Sequence, residues 1–272
     1  MKTKEQYEIG KLQKRLRHLT GKAIEDYKMI EDGDRVMVCM SGGKDSYGLM
    51  DILLSLKRSA PVDFTLIGVH VSGKFPGTQI PEKVREFCAS RNVECIIADD
   101  DINSIINRVI PEGVRVCSLC ARLRRGILYR IAGEINATKI ALGHHRDDAI
   151  ATFFLNMFYA SKIKSMPPKL ITDDKKHIVI RPLIYCHEDD MRSLSAAMNY
   201  PVVNGTCIHK ANKERPAVRE MMDIWEKQHP GRLDNILKAL GTIQPSHMLD
   251  RRMYDFDNLR SIITDSGKGL KL

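Results

Sequence analysis

Six residues, Ser41-Gly42-Gly43-Lys44-Asp45-Ser46, join the apolar run Arg35-Val36-Met37-Val38-Cys39-Met40 to a stretch from Tyr47 to Leu56 whose apolar residues recur at helical spacing. A strand that opens into a double-glycine turn and then a helix can be built in few ways. The glycines permit a sharp turn that brings backbone N–H groups onto an anion, the flanking serines add hydroxyl donors, and the helix presents its positive end. The Walker arrangement is excluded, because it needs four residues between its glycines and a Gly-Lys-Ser/Thr close. The pattern predicts a phosphate-holding turn at a strand's C-terminal end, with Ser41, Gly42, Gly43, Lys44, Asp45 and Ser46 as its binding residues. An empty serine- and glycine-rich turn is the bland alternative.

The surrounding pattern extends that unit. Ile9, Leu12, Leu16, Leu19, Ala23, Tyr27 and Ile30 recur every three or four residues, so residues 5–30 read as an amphipathic helix with a basic outer face. Strands at Val36–Met40, Phe64–His70 and Val93–Ala98 alternate with helices to Lys57 and across Pro81–Arg91. Further strands are expected at Thr138–Gly143, Ile178–Leu183 and Pro201–Val203, with helices at Ala121–Ile135 and Asp189–Met198 between them. Beyond Ala211 the pattern is helical over Met221–Gln228 and Leu233–Leu240, then polar from Thr242. This alternation predicts an α/β, doubly wound and mainly parallel sheet with its ligand site at the strand C-termini. Three regions follow: a helix at 1–30, a catalytic domain at 31–210 and a helical extension at 211–272.

With 272 residues, 43% of them hydrophobic, the chain can bury one sizeable core plus an appendage. No apolar run has the length to span a bilayer and Met1-Lys2-Thr3-Lys4-Glu5 lacks a secretory h-region, so a cytoplasmic protein with no membrane partner is expected. A net charge of +9 favours a polyanionic partner, although a solvated basic surface also accounts for it.

A second polar run, Gly143-His144-His145-Arg146-Asp147-Asp148, leaves the strand at Thr138–Leu142 on what should be the same sheet edge. Adjacent carboxylates repel, and a bound Mg²⁺ relieves that repulsion while neutralising a triphosphate, so Asp147 and Asp148, joined by Asp45, are candidate catalytic residues beside ATP, together with Ser46 of the turn. Gly143 and His144 would then face the nucleotide. Capping of a helix near Asp147 is the alternative. Cys117-Ser118-Leu119-Cys120 opens a helix, where thiolates gain from the positive end; a metal pair, a redox pair and two core cysteines all fit this spacing. Cys207, in Asn204-Gly205-Thr206-Cys207-Ile208-His209, offers a third thiol. Cys39, Cys88, Cys95 and Cys186 lie in apolar patterns and read as packing residues.

From about Asp34 to Asp250 the chain resembles the TtcA-type tRNA-cytidine(32) 2-sulfurtransferases of the PP-loop ATP pyrophosphatase superfamily. The likeness rests on the glycine turn, Cys117–Gly126 (CSLCARLRRG), Ala141–Asp148 (ALGHHRDD), Leu155–Tyr159 (LNMFY) and Met166–Leu170 (MPPKL). It implies an adenine nucleotide α-hydrolase-like fold, ATP on Ser41, Gly42, Gly43, Asp45 and Ser46, and a 4Fe-4S cluster on Cys117, Cys120 and Cys207. It further implies thiolation of cytidine 32 in tRNA by adenylation of the base, with sulfur drawn ultimately from a cysteine desulfurase. Some members of that family carry a second C-x-x-C where this chain has Asn204-Gly205-Thr206-Cys207, so one of its cysteines is absent here. Two other readings stay open: a thiouridine- or lysidine-type enzyme without a cluster, and a zinc-stabilised RNA-binding module using Cys117, Cys120, Cys207 and His209. Arg122, Arg124, Arg125, Arg130, Lys162, Lys164 and Lys169 are candidate phosphate contacts, Phe158 or Tyr159 a candidate base-stacking ring, and a homodimer through the N-terminal helix is a further expectation.

Overall fold

A computed structural model describes residues 3–74, 79–109, 117–203 and 214–259, without the side chains of Cys117 and Ser118. Its centre is a six-stranded sheet of β1 (Asp34–Cys39), β2 (Phe64–Val71), β3 (Glu94–Ala98), β4 (Lys139–Ala141), β5 (Lys169–Ile171) and β6 (Ile178–Ile180). The strand order is β3-β2-β1-β4-β6-β5, parallel throughout except for the antiparallel pair of β5 with β6. From β1 the chain winds to β2 and β3 on one side and returns to β4 on the other. The strand order therefore reverses between β1 and β4, which is where an open sheet of this kind parts its loops into a crevice.

Side-chain alternation along β1 separates two cores. Val36 and Val38 face the cluster built with α1 (Lys4–Asp26), α2 (Lys44–Lys57), α3 (Ile80–Ala89) and α7 (Glu188–Ala197), whose buried members include Leu16, Leu53, Phe87 and Leu194. Met37 faces the other way, onto α4 (Ile102–Val109) and α5 (Cys117–Glu134) through Ile102, Ile106 and Ile131. The sheet is thus covered on both faces, as its nearly continuous apolar strands require. A third cluster joins α6 (Arg146–Ala160) to α8 (Glu214–Gln228) and α9 (Arg232–Leu240) through Ile150, Phe154, Val218, Met222 and Leu233.

Two expectations are corrected. The first helix stops at Asp26, because Lys28 takes a left-handed φ of 46° and Met29 N–H turns back to the Ile24 carbonyl. Pro201–Val203 forms no strand: Pro201 has no N–H to give, Val202 N–H closes a local turn on the Tyr200 carbonyl, and Val203 N–H reaches the Gly42 carbonyl at 3.4 Å. The segment docks on the glycine turn instead of adding to a ladder. Beyond these, α4 and the three-residue β5 appear where the spacing gave no element.

Candidate active site

The glycine turn lies at the C-terminal end of β1 and is held by its own atoms. Ser46 Oγ donates to the Gly43 carbonyl at 2.8 Å and Gly43 N–H to Ser41 Oγ at 3.3 Å. Gly42 has φ +79°, and a Cβ there would stand 2.4 Å from Ile80 Cγ2, so both conformation and space call for glycine. His70, buried on β2, props the residue before the turn: its Nδ1 lies 2.6 Å from the Met40 carbonyl, which accepts, so Nδ1 carries the proton. Burial favours the neutral ring.

The run after β4 meets this turn. A Cβ on Gly143 would lie 3.1 to 3.2 Å from the backbone of Asp45 and Ser46, so the two loops pack main chain against main chain. His145 is 1% exposed and surrounded by carboxylates: Nε2 is 2.7 Å from Glu188 Oε2, 3.4 Å from Asp148 and 3.9 Å from Asp45, and Nδ1 is 3.7 Å from Asp147. Burial alone would discharge the ring, but Asp147 and Glu188, with Asp148 and Asp45 behind them, raise it to about 9. His144 behaves oppositely. Burial holds it below its usual value, and its Nδ1 is buried without a hydrogen-bond partner, as a group awaiting a polar ligand would be.

The aspartates divide in the same way. Asp147 has both oxygens engaged, by Arg146 at 3.1 and 3.2 Å and by Glu188 N–H at 3.0 Å. Burial works against its charge, yet His145 and Arg146 hold it well below the carboxylate range. Asp148 accepts from Arg219 at 2.6 Å and from the backbone N–H of His145, the residue that caps its helix, at 3.2 Å. Asp45 is instead raised by burial, which outweighs His145 and Lys44. Among the described residues no group of three or more His, Cys, Asp or Glu side chains is arranged for a metal ion.

Lys44 completes the cluster, its Nζ 2.9 Å from Asp45 and 2.8 Å from Glu188. In sequence Glu188 merely precedes the helix expected from Asp189, and its spacing from Lys44 carries no periodic signal. Arg219 of α8 escapes notice for the same reason, although it bridges Glu188 and Asp148.

Of the candidate metal-binding thiols, Cys120 lies half-buried in the first turn of α5, against the second core. Cys117 opens the helix, and Cys207 and His209 lie outside the described residues. α5 ends five residues before β4 begins and is 18 residues long, about 27 Å. Leu119 and Cys120 of its first turn pack against the same core cluster as Cys39, the last residue of β1, and Leu142, the residue after β4. The packing thiols Cys39 and Cys186 are both pushed up to about 12 by burial, which leaves them as inert thiols. Arg130 is paired with Asp100 and Glu134, and Lys169 bonds the Lys28 carbonyl, so neither is a free cation; Phe158 and Tyr159 are exposed, with Phe158 stacked on Phe154. A cavity of about 900 Å³ lies away from the turn, between α1, residues 163–168 and α9, and the Met166-Pro167-Pro168 segment forms part of its wall.

A parallel sheet with its strand order reversed beside a self-bonded glycine turn defines a PP-loop domain, and residues 7–223 match the family model for the PP-loop domain. The chain is 53% identical over 257 residues to a tRNA-cytidine(32) 2-sulfurtransferase of Methylibium petroleiphilum, covering 94% of this chain and 82% of that one. It is 51% identical over 268 residues to the protein of the same name from Yersinia enterocolitica, covering 97% and 85%. Among solved structures, the U34-tRNA thiolase NcsA from Methanococcus maripaludis, described with its 4Fe-4S cluster, superposes with a TM-score of 0.69 at 23% identity, covering 86% of this chain and 80% of that one. The chain belongs to the tRNA-cytidine(32) 2-sulfurtransferase family of PP-loop enzymes.

Proposed function

We propose that this enzyme thiolates cytidine 32 of tRNA at carbon 2, using ATP to activate the base. The observation that carries the reading is the packing of two loops at one edge: the glycine turn, closed by the Gly43 N–H on Ser41 Oγ, and the Gly143–Asp148 run against it. The oxygen on carbon 2 of cytosine is amide-like and leaves poorly. Attack of that oxygen on the α-phosphorus of ATP turns it into the leaving group AMP, and pyrophosphate departs toward the amides of Gly42 and Gly43 and toward Lys44. Sulfide then adds at carbon 2 and AMP leaves. Ser41 and Ser46 supply hydroxyl donors, and Asp45 shares the charge of Lys44.

The left-handed Gly42 cradle and the partnerless Nδ1 of His144 fit a polyanionic ligand. Mg²⁺ would find its most available carboxylate at Asp45, since arginines already engage Asp147 and Asp148, and would draw its remaining oxygens from phosphate and water. The half-buried free thiol of Cys120 suits a soft metal. Cys117, Cys120 and Cys207 would hold a 4Fe-4S cluster, whose chemistry when bound would be the supply of sulfide. Two features support a shared pocket. The first turn of α5 packs against the same core cluster as Cys39 and Leu142, and Cys207 follows Val203 by four residues, a reach of at most about 14 Å from a residue bonded to Gly42. A cysteine desulfurase as ultimate sulfur source, a cytoplasmic setting and a homodimer belong to the same reading.

Nucleoside analysis of tRNA from cells lacking the protein tests the substrate, with 2-thiocytidine expected to disappear. Asp45→Ala should abolish tRNA-dependent pyrophosphate release; release at the wild-type rate would remove Asp45 from the mechanism, whereas a wild-type protein that releases none would favour a binding module over an enzyme of this type.

A further inference from the structure

Glu188 carries four cationic partners from four parts of the chain. Its Oε1 takes Lys44 Nζ at 2.8 Å and Arg192 Nε at 3.1 Å, while its Oε2 takes His145 Nε2 at 2.7 Å and Arg219 NH1 at 3.0 Å. The side chain is 12% exposed, so water replaces none of these partners freely. A carboxylate offers about four acceptor positions, and all are used. Arg219 is anchored a second time, by Asp148 at 2.6 Å, and sits in the second turn of α8, a helix otherwise joined to the site through the apolar cluster on α6. Lys44 is the partner with an alternative: it stands in the glycine turn, where a phosphate would compete for it.

We propose that Glu188 is a positioning residue that couples nucleotide at the glycine turn to α8 through exchange of Lys44 between carboxylate and phosphate. With phosphate in the turn, Lys44 moves its charge toward the anion. Glu188 then divides its charge among three cations rather than four, and the repulsion between Lys44 and Arg219 across it falls. Arg219 binds Glu188 more strongly, and α8 is held more firmly. By linkage, whatever tightens α8 on Glu188 also frees Lys44 for phosphate. The inference rests on the reading of the turn as an ATP site. It adds that α8, which opens seven residues after Cys207, senses occupancy of that site.

Hydrogen exchange of the amides in α8, with and without saturating α,β-methylene ATP, reads the coupling directly. In the wild-type chain the analogue should slow exchange across α8 by about threefold or more. In Glu188→Gln the analogue should still bind, by equilibrium dialysis, and leave α8 exchange unchanged; Arg219→Gln should do the same with Glu188 and Lys44 intact, and carries the test if the first variant fails to fold. Arg219→Lys, which keeps one charged contact, should restore part of the response. An unresponsive α8 in nucleotide-bound wild-type protein, or an equal response in the variants, overturns the coupling while leaving the ATP site standing. A wild-type chain that binds no adenine nucleotide overturns the functional reading itself, and the coupling with it.

Discussion

At Gly42 two constraints coincide, and they can be pulled apart. Alanine at φ +79° costs about 1–2 kcal/mol from backbone strain, and its methyl would meet Ile80 Cγ2 at 2.4 Å. Gly42→Ala should lower stability by about 2 kcal/mol or more, measured by urea denaturation, and weaken ATP binding at least tenfold. The pair Gly42→Ala with Ile80→Ala removes the contact and keeps the strain. ATP binding that returns to the wild-type level in the pair would mean that the backbone conformation contributes nothing. His145 permits a test by pH. Its folded-state value of about 9 stands above the ordinary 6.5, so the stability it lends is complete below pH 6.5 and is lost as pH rises toward 9. The partners responsible are Asp147, Glu188, Asp148 and Asp45. Thermal melts between pH 6 and 9.5 should show a fall on the order of 2 kcal/mol in the wild-type chain, and His145→Gln should flatten that part of the curve. A parallel decline in both proteins would assign the effect to other groups.

Among the elements, α8 and α9 matter to the site because they clamp α6, the helix whose first turn carries Asp147 and Asp148. Met222 is 2% exposed in that contact, and Met222→Ala should destabilise the protein by about 2–4 kcal/mol while lowering ATP affinity through the displaced Arg219. Loss of stability with unchanged nucleotide binding would show that α8 is a brace alone. The elements also show what a sequence displays and what it hides. Strands β1 to β3 and helices α2 and α3 are legible because burial on both faces gives long apolar runs, and the glycine turn is legible because its chemistry is contiguous. β5 is hidden because three residues carry no period, and Pro201–Val203 mimics a strand because β-branched residues favour extended backbone whether or not a neighbour is there to pair with. Glu188 and Arg219 are hidden for a different reason. Their roles come from the return of α7 and α8 to the switch between β1 and β4, a tertiary fact with no local signature.

For the whole molecule, charge decides how a polyanionic substrate is met. A net +9 is distributed largely outside the site, where Lys44, His145, Arg146 and Arg219 are already matched by Asp45, Asp147, Asp148 and Glu188. The site is therefore close to balanced before ATP arrives, and the excess lies on surfaces such as the exposed face of α1, with Lys4, Lys11 and Lys14. Contacts of that kind bind a phosphate backbone by releasing counterions, each adding about −0.7 to −0.9 to the slope of log affinity against log salt. tRNA affinity should then fall by about tenfold or more between 50 and 200 mM salt, whereas ATP affinity, set by a nearly enclosed and internally compensated cluster, should change by less than about threefold. Lys11→Glu with Lys14→Glu should flatten the tRNA slope and leave the ATP curve unmoved. If both ligands lost affinity in parallel with salt, the separation between a basic docking surface and a compensated cluster at the glycine turn would not hold, and the excess charge would have to act within the site itself.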